Sequence, residues 1–154
     1  ELVFSITGVD SSREIPATTD EDGVAAVELG VTERPGAYDL AVRYAGQTDE
    51  YEGSADLQSL EVAREDTDTV LTVNGNGSNR TLRARVSDRD APSVGVAGVV
   101  VGFFSNGTLV GTATTNGDGV ATLEATKKTS GNRDFTAVFE GDDYFRTSQG
   151  HASG

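Results

Sequence analysis

Short runs of apolar residues recur along the chain, and polar turn residues separate them. Apolar and polar positions alternate most clearly over residues 82–86 (LRARV) and 135–139 (FTAVF), as in strands that have one buried and one solvated face. No stretch of the sequence repeats its apolar residues at helical spacing over several turns. This pattern predicts an all-β fold.

The second half of the chain predicts six strands, each short, rich in Val, Thr or Phe, and bounded by Gly, Asn or Asp. They cover residues 70–73, 82–86, 99–103, 109–115, 120–125 and 135–139. Asn-Gly and Asp-Gly pairs between them are typical of tight turns, because glycine accepts the positive φ that such turns require. Short, evenly spaced strands in this number are typical of an immunoglobulin-like β-sandwich.

The sequence is internally duplicated. Residues 17–29 (ATTDEDGVAAVEL) match residues 113–125 (ATTNGDGVATLEA) at eight of thirteen positions, and residues 36–46 align with residues 131–141. The spacing of about 95 residues indicates duplicated domains, because solenoid repeats have periods of about 20–50 residues. We therefore predict two tandem immunoglobulin-like domains.

Neither predicted domain has a full set of strands. The first, residues 1–65, opens directly at the strand that corresponds to C of a sandwich and runs on to strand G at residues 56–62, so that its first strands are missing. The second, residues 66–154, provides strands A to F. Its polar end, residues 147–154, predicts no apolar strand G and a disordered tail, so its last strand is missing.

Two explanations of the missing strands remain open at this point. The chain can be a window of a longer tandem array, in which the neighbouring sequence contains them. Alternatively, a neighbouring molecule supplies them, which would build a filament by strand addition at open sheet edges. An open sheet exposes apolar side chains, so the first domain is not expected to be stable alone.

The second copy also resembles a known family. The run VAGVVVGFFSNGTLVGTATTNGDGVATLEA, followed by DFTAVFEGDDYF, is similar to the immunoglobulin-like (Big-type) repeats of bacterial and archaeal surface proteins. Those repeats pair a G-V-x-V-x-F strand with a T-D-x-x-G-x-A turn and close with F-x-G-D-x-x-Y. The resemblance implies a structural role at the cell or virion surface, in a stalk, surface layer, fibre or appendage. The resemblance does not indicate which of these structures the protein belongs to, because a fold does not determine a function.

The composition adds a strong negative charge. There are 25 Asp and Glu against 12 Lys and Arg, a net charge of −13, which disfavours binding to nucleic acid or anionic lipid. The longest apolar run, residues 94–104, is shorter than the roughly 20 residues that span a bilayer, so no membrane insertion is expected in this segment. Such an acidic surface is similar to that of proteins from salt-rich habitats, where counterions screen self-repulsion. It predicts a halophilic source.

The residue types needed for most enzymes are missing from the sequence. It has no Cys and one His, His151 in the polar tail, so neither a Ser-His-Asp arrangement nor a thiolate or histidine zinc site is expected. No nucleotide-binding glycine motif is present either. We predict a protein that is not an enzyme and that needs no cofactor.

Calcium is the one metal worth considering, since hard cations bind carboxylate oxygens. The weak candidates lie at the predicted domain junction and in two loops: Asp66, Asp68, Asp88, Asp90, Asp142 and Asp143. None follows the spacing of a known calcium loop, Arg89 is an unfavourable neighbour for a cation, and solvated acidic loops explain these residues better.

Three asparagines satisfy the Asn-x-Ser/Thr rule for glycosylation and lie in predicted hairpin loops: Asn76, Asn79 and Asn106. At Asn76 and Asn106 the following glycine offers an alternative explanation, because Asn-Gly suits a tight turn; Asn79 has no such glycine, which favours a true acceptor there. A glycan would place the protein outside the cell, and the absence of Cys fits a microbial surface better than a disulfide-dependent secreted domain.

The expected partners are further copies of the chain, neighbouring immunoglobulin-like domains or a glycan. The alternative function is an adhesion module that binds a carbohydrate or a receptor through its loops. Carbohydrate-binding surfaces are usually aromatic, and the chain has no Trp. The loop aromatics available for such a site are Tyr51, Tyr144 and Phe145.

Overall fold

The computed structural model describes residues 1–9, 11–30, 33–76, 79–126 and 133–153, apart from the side chains of residues 76 and 126. Over these residues the chain forms strands and turns and no helix, which confirms the predicted all-β class. It follows that none of the described residues belongs to a helix that could cross a membrane. The chain divides into two compact units, Glu1–Ala63 and Arg64–Gly154.

The first unit is a single antiparallel sheet. Its strands are β1 (Leu2–Thr7), β2 (Ser12–Ala17), β3 (Gly36–Tyr44) and β4 (Ser54–Val62), in the order β2-β1-β3-β4. Ile6 and Tyr38 are the buried apolar residues of this unit among those described. One sheet with no second layer cannot bury more.

The second unit is a two-sheet sandwich. Its strands are β5 (Thr67–Asn76), β6 (Asn79–Asp88), β7 (Val100–Ser105), β8 (Thr108–Thr114), β9 (Val120–Thr126), β10 (Asp134–Phe139) and β11 (Ser148–Ser153). One sheet has the order β5-β6-β9 and the other β11-β10-β7-β8. This arrangement is compatible with an immunoglobulin-like domain.

The core of the second unit lies between its two sheets. Leu82 and Val86 of β6 and Val101 and Phe103 of β7 are each 0% exposed, and Phe135 of β10 is 1% exposed. Residues an even number of positions apart on a strand point to the same face of the sheet, so these side chains all lie on the inner face. The alternation read from the sequence therefore marks the core of this unit.

The polar end of the second unit forms a strand, so the prediction of a missing last strand and a disordered tail is wrong. β11 pairs in register with β10, and His151 lies opposite Thr136 with its Nδ1 3.1 Å from Thr136 Oγ1. Close packing at one position explains part of this composition. A Cβ on Gly150 would lie 2.5 Å from the carbonyl oxygen of Thr69, so an apolar side chain does not fit at this buried position. The neighbouring Gln149 and His151 are exposed, as their polarity requires.

Each unit has a four-stranded sheet of the same strand order. The order β2-β1-β3-β4 of the first unit matches β8-β7-β10-β11 of the second, which is the relation that the sequence repeat predicts. Two elements differ. The first unit has no counterpart of β5 and β6, and residues 24–30, which align with β9, form no strand. The reason is that β9 pairs with β6, and a strand without a partner has no ladder to join.

Candidate functional site

The apolar side of the first sheet is uncovered over much of its area. Phe4 lies opposite Ile15 on one neighbour and Val42 on the other, and Ile6 lies opposite Leu40. Residues paired in this way point to the same side of a sheet. We call these five side chains the open face. Ile6 is buried and the other four are only half-buried.

The matching positions on β10 of the second unit are fully buried. Under the repeat, Leu40 and Val42 align with Phe135 and Ala137, which are 1% and 0% exposed. In that unit the sheet β5-β6-β9 covers them. The difference in burial therefore comes from the missing layer and not from a different choice of side chains.

Residues 24–30 lie along the open face as an extended segment. Their burial alternates, with Val27 and Leu29 half-buried and Ala26 and Glu28 exposed. Ala26, Val27 and Leu29 line a cavity of about 290 Å³ together with residues of the sheet: Phe4, Ser5, Ile6, Ile15 and Leu40. The side chains of residues 24–30 thus alternate between inward and outward as in a strand, but the segment has no ladder of backbone hydrogen bonds with another described strand.

An arginine of the sheet holds the far end of this segment. Arg13 of β2 donates a hydrogen bond from Nη2 to the carbonyl oxygen of Gly30 at 3.1 Å. The same nitrogen lies 3.2 Å from Oε1 of Glu33, whose side chain is 7% exposed. The Arg13 side chain therefore links the end of this segment to β2, the edge strand of the sheet.

The turn that leads into residues 24–30 has the geometry of the turn before β9. Asp20 Oδ1 accepts hydrogen bonds from the N–H groups of Asp22 (3.0 Å) and Val24 (2.9 Å). In the second unit, Asn116 Oδ1 accepts from Asp118 and Val120, each at 3.0 Å. The repeat therefore extends to individual hydrogen bonds, although the sequence alone did not single out these two residues.

Negative charge is concentrated in the first unit. It holds 14 Asp and Glu against three Arg, which is a net charge of −11 out of the −13 of the chain. The second unit is close to neutral by comparison. An apolar face on so acidic a body favours a partner that is both apolar and cationic.

The candidate calcium ligands lie in the second unit, where several of them bind other groups. Arg89 lies 3.3 Å from Asp66 and 3.1 Å from Asp68, and Arg146 lies 3.3 Å from Asp66. Asp88 Oδ1 accepts backbone hydrogen bonds from residues 90 and 91. These contacts join the start of β5 to the neighbouring loops without a metal.

The other acidic candidates also lie in loops. Asp142 Oδ1 accepts hydrogen bonds from the N–H groups of Tyr144 (2.8 Å) and Phe145 (2.9 Å), while Asp90 and Asp143 are exposed. Within the described residues, no three or more acidic or histidine side chains form a group that could hold a metal ion.

The candidate glycosylation sites lie at two hairpin turns. Asn79 is exposed at the start of β6. Asn106 is exposed with φ of 46°, and its Oδ1 accepts a hydrogen bond from the N–H of Asp134 at 3.0 Å, so this side chain has a structural role in its turn. The Asn76 motif runs into residues 77–78, which lie outside the described residues.

The loop aromatics are divided between the two units. Tyr51 is 66% exposed in the first unit, and Tyr144 is 43% exposed in the second. Phe145 is half-buried and packs against the core of the second unit, so its truncation would disturb packing as well as any binding.

No protein-family model matches the sequence, and a comparison with curated proteins finds no match either. The duplicated sheet, the open face and the distribution of charge are the features of the chain that bear on its function.

Proposed function

We propose that the chain is a structural module of an extracellular surface protein, built from immunoglobulin-like repeats of the Big type. Such a protein would be a stalk, a surface layer, a filament or a virion appendage. The observation that carries the proposal is the duplication itself: two successive units have the same four-stranded sheet in the same strand order. Repetition of one module with little chemistry on it is typical of proteins whose role is to span a distance.

The second unit has contacts suited to bearing tension. β5 is its first strand and β11 its last, and just before them residues 65 and 145 form a parallel bridge. Thr67 Oγ1 lies 3.0 Å from the carbonyl oxygen of Arg146 and 2.8 Å from Ser148 Oγ, and Thr69 Oγ1 lies 2.7 Å from Ser148 Oγ. A force that pulls the two ends of this unit apart would act on all of these hydrogen bonds at once rather than on one after another.

A force measurement on single molecules of the full chain tests this role. The double variant Thr67→Val with Ser148→Ala should lower the unfolding force of the second unit, because it removes the hydroxyl contacts between the first and last strands. Thr72→Val is the matched control, since Thr72 is exposed and its hydroxyl donates to Arg83 within the β5–β6 hairpin. Equal forces in the two variants would argue against a mechanical role for these contacts.

The proposed location is the cell or virion surface, and the acidic composition supports a salt-rich habitat. Antibodies against the chain should label intact source cells or particles. Labelling that requires lysis would contradict the proposed location. Asn79 is the asparagine proposed to bear a glycan, because it is exposed and no following glycine explains its presence. Mass spectrometry of material from the source organism tests that assignment.

The second candidate function is an adhesion module that binds a carbohydrate or a receptor. The observation in its favour is that Tyr51 and Tyr144, which the repeat aligns, are both exposed. A glycan panel applied to the full chain tests it. Saturable binding that Tyr144→Ala abolishes, with folding intact, would favour adhesion over a purely structural role.

A further inference from the structure

We propose that β8 of the second unit is the contact through which two copies of this chain pair. The two β8 strands would run antiparallel about a two-fold axis and join the two sheets edge to edge. The inference rests on the sequence and surroundings of β8, does not involve the open face, and holds whether or not the chain is a surface module.

β8 differs from the other edge strands of the described sheets. An edge strand pairs readily with another chain unless charge, proline or a covering segment prevents it. β4, β5 and β9 each contain a carboxylate, β2 contains charged residues and a proline, and β11 packs closely against β5 at Gly150. β8 (TLVGTAT) has no charged residue and no proline, and no described segment forms a ladder with its free edge.

The counterpart of β8 in the first unit carries a charge at a matching position. Glu14 of β2 lies opposite Ser5, and Leu109 of β8 lies opposite Phe104. Ser5 and Phe104 in turn pair with residues of β3 and β10 that the repeat aligns. The second unit therefore has a leucine, 50% exposed, where the first unit has a carboxylate.

A proline of β2 occupies a second matching position. Pro16 lies opposite Val3, and Thr112 lies opposite Gly102 in the corresponding row of the second unit. Proline has no N–H, so a proline that stays paired in a sheet has its nitrogen on the free edge. We therefore expect the N–H of Thr112 on the free edge of β8, where an added strand can accept its hydrogen bond.

The composition of β8 favours a second copy as the added strand. Two paired β8 strands bring no like charges together, and like charges opposite each other destabilise a sheet. Leu109 of each copy would border the seam on the side away from the core. On that side Leu109 and Phe104 line a cavity of about 520 Å³, beside which the partner strand would add apolar surface.

Charge also permits contact between copies at this unit. The second unit holds 11 Asp and Glu against nine Lys and Arg, a net charge of −2, whereas the first unit has a net charge of −11. Electrostatic repulsion between copies is therefore weakest where second units meet. The same strand serves both copies, so the pair is closed and the expected product is a dimer.

Sedimentation equilibrium of the full chain tests the pairing. In about 0.5 M KCl the Debye length is about 4 Å. There we expect a monomer–dimer equilibrium with a dissociation constant on the order of 0.1 mM, because one pair of strands is a small interface. Backbone hydrogen exchange in β8 should slow as the chain concentration rises, since the new hydrogen bonds protect it.

A matched pair of leucine variants locates the contact. Leu109→Glu gives β8 the residue that β2 has at the matching position, and it should raise the dissociation constant by about tenfold or more, because it brings a carboxylate of each copy to the seam. Leu57→Glu is the control. Leu57 is 64% exposed on the edge strand β4 and lies opposite Ala41, on the side of the sheet away from the open face. This variant makes the same change in charge and should stay within about twofold of the unmodified chain.

A third variant tests the ladder separately from the apolar contact. Thr112→Pro removes the edge N–H without changing the charge, and Pro16 shows that this position in the sheet accepts proline. It should also weaken pairing by about tenfold, because one hydrogen bond is lost from each copy.

Four results would overturn the proposal. One is a chain that stays monomeric up to about 1 mM. Another is equal weakening by Leu109→Glu and Leu57→Glu, which would assign the effect to net charge. The third is concentration-dependent protection in β1 or residues 24–30 and not in β8, which would assign the association to the open face. The last is full protection of β8 in the dilute monomer, which would show that another segment of the same chain already covers it.

Discussion

At the scale of single residues, the most informative feature is the turn shared by the two units. A side-chain oxygen at its first position, from Asp20 or Asn116, accepts two backbone N–H groups, and a glycine with positive φ ends it: Gly23 at 81° and Gly119 at 74°. The two glycines differ in their surroundings. A Cβ on Gly23 would meet nothing within 4 Å, whereas one on Gly119 would collide with the backbone of Val86 and Gly95.

This difference leads to a prediction for the second unit. Gly119→Ala should lower its free energy of unfolding by about 3 kcal/mol or more, because backbone strain and a steric clash act together. Gly117→Ala in the same turn should stay within about 0.5 kcal/mol of the unmodified chain, since a Cβ there meets nothing within 4 Å. Denaturant unfolding of the two variants measures both values. Similar losses in the two variants would show that the turn is not tightly packed.

At the scale of elements, the sequence predicted strands where alternation is strong and failed where a strand depends on its neighbours. Residues 82–86 and 135–139 alternate clearly and lie in β6 and β10. β11 was missed because it lacks apolar residues: close packing on β5 requires glycine at position 150, and the neighbouring Gln149 and His151 are exposed. Residues 24–30 resemble β9 in sequence, yet they form no strand, because strand formation requires a partner that the repeat alone does not supply.

The close approach of β11 to β5 can be tested with a single methyl group. Gly150→Ala should destabilise the second unit by about 2–3 kcal/mol, because the new Cβ would lie 2.5 Å from the Thr69 carbonyl oxygen and 2.9 Å from the Leu71 nitrogen. It should also speed hydrogen exchange in β11. Gln149→Ala is the control, since the neighbouring Gln149 is exposed. If Gly150→Ala has no larger effect than this control, β11 does not pack as described.

At the scale of the whole molecule, the open face was foreseen from the sequence in outline, because the first domain was predicted to lack its first strands. The shape of the site was not foreseen. It depends on how residues 24–30 lie on the sheet and on the Arg13 contacts that hold them, and neither is encoded in a local pattern. The division of charge, in contrast, follows from the sequence alone, because residues 1–65 already have a net charge of −11.

The unequal charges predict an unequal response to salt. Raising KCl from 0.1 to about 2 M should slow hydrogen exchange in the first unit by several-fold and affect the second unit much less, because the Debye length falls from about 10 Å to below about 3 Å. A variant with Gln at five exposed positions of the first unit should lose much of this response; these are Glu14, Glu28, Glu50, Glu52 and Glu61. Sucrose at matched osmolality controls for water activity. An equal response of the two units would contradict the prediction.

The open face belongs to an acidic unit, and this charge affects how often different molecules reach the face. In dilute salt, two copies of the first unit repel each other before their apolar faces can touch, while a cationic segment is drawn in at a raised association rate. The net charge of a molecule thus decides how often it approaches the open face before the fit of its surface matters. In molar salt this effect of charge is lost and apolar contact is not weakened in the same way. At that salt concentration the apolar side chains of the open face would associate with other copies of the chain.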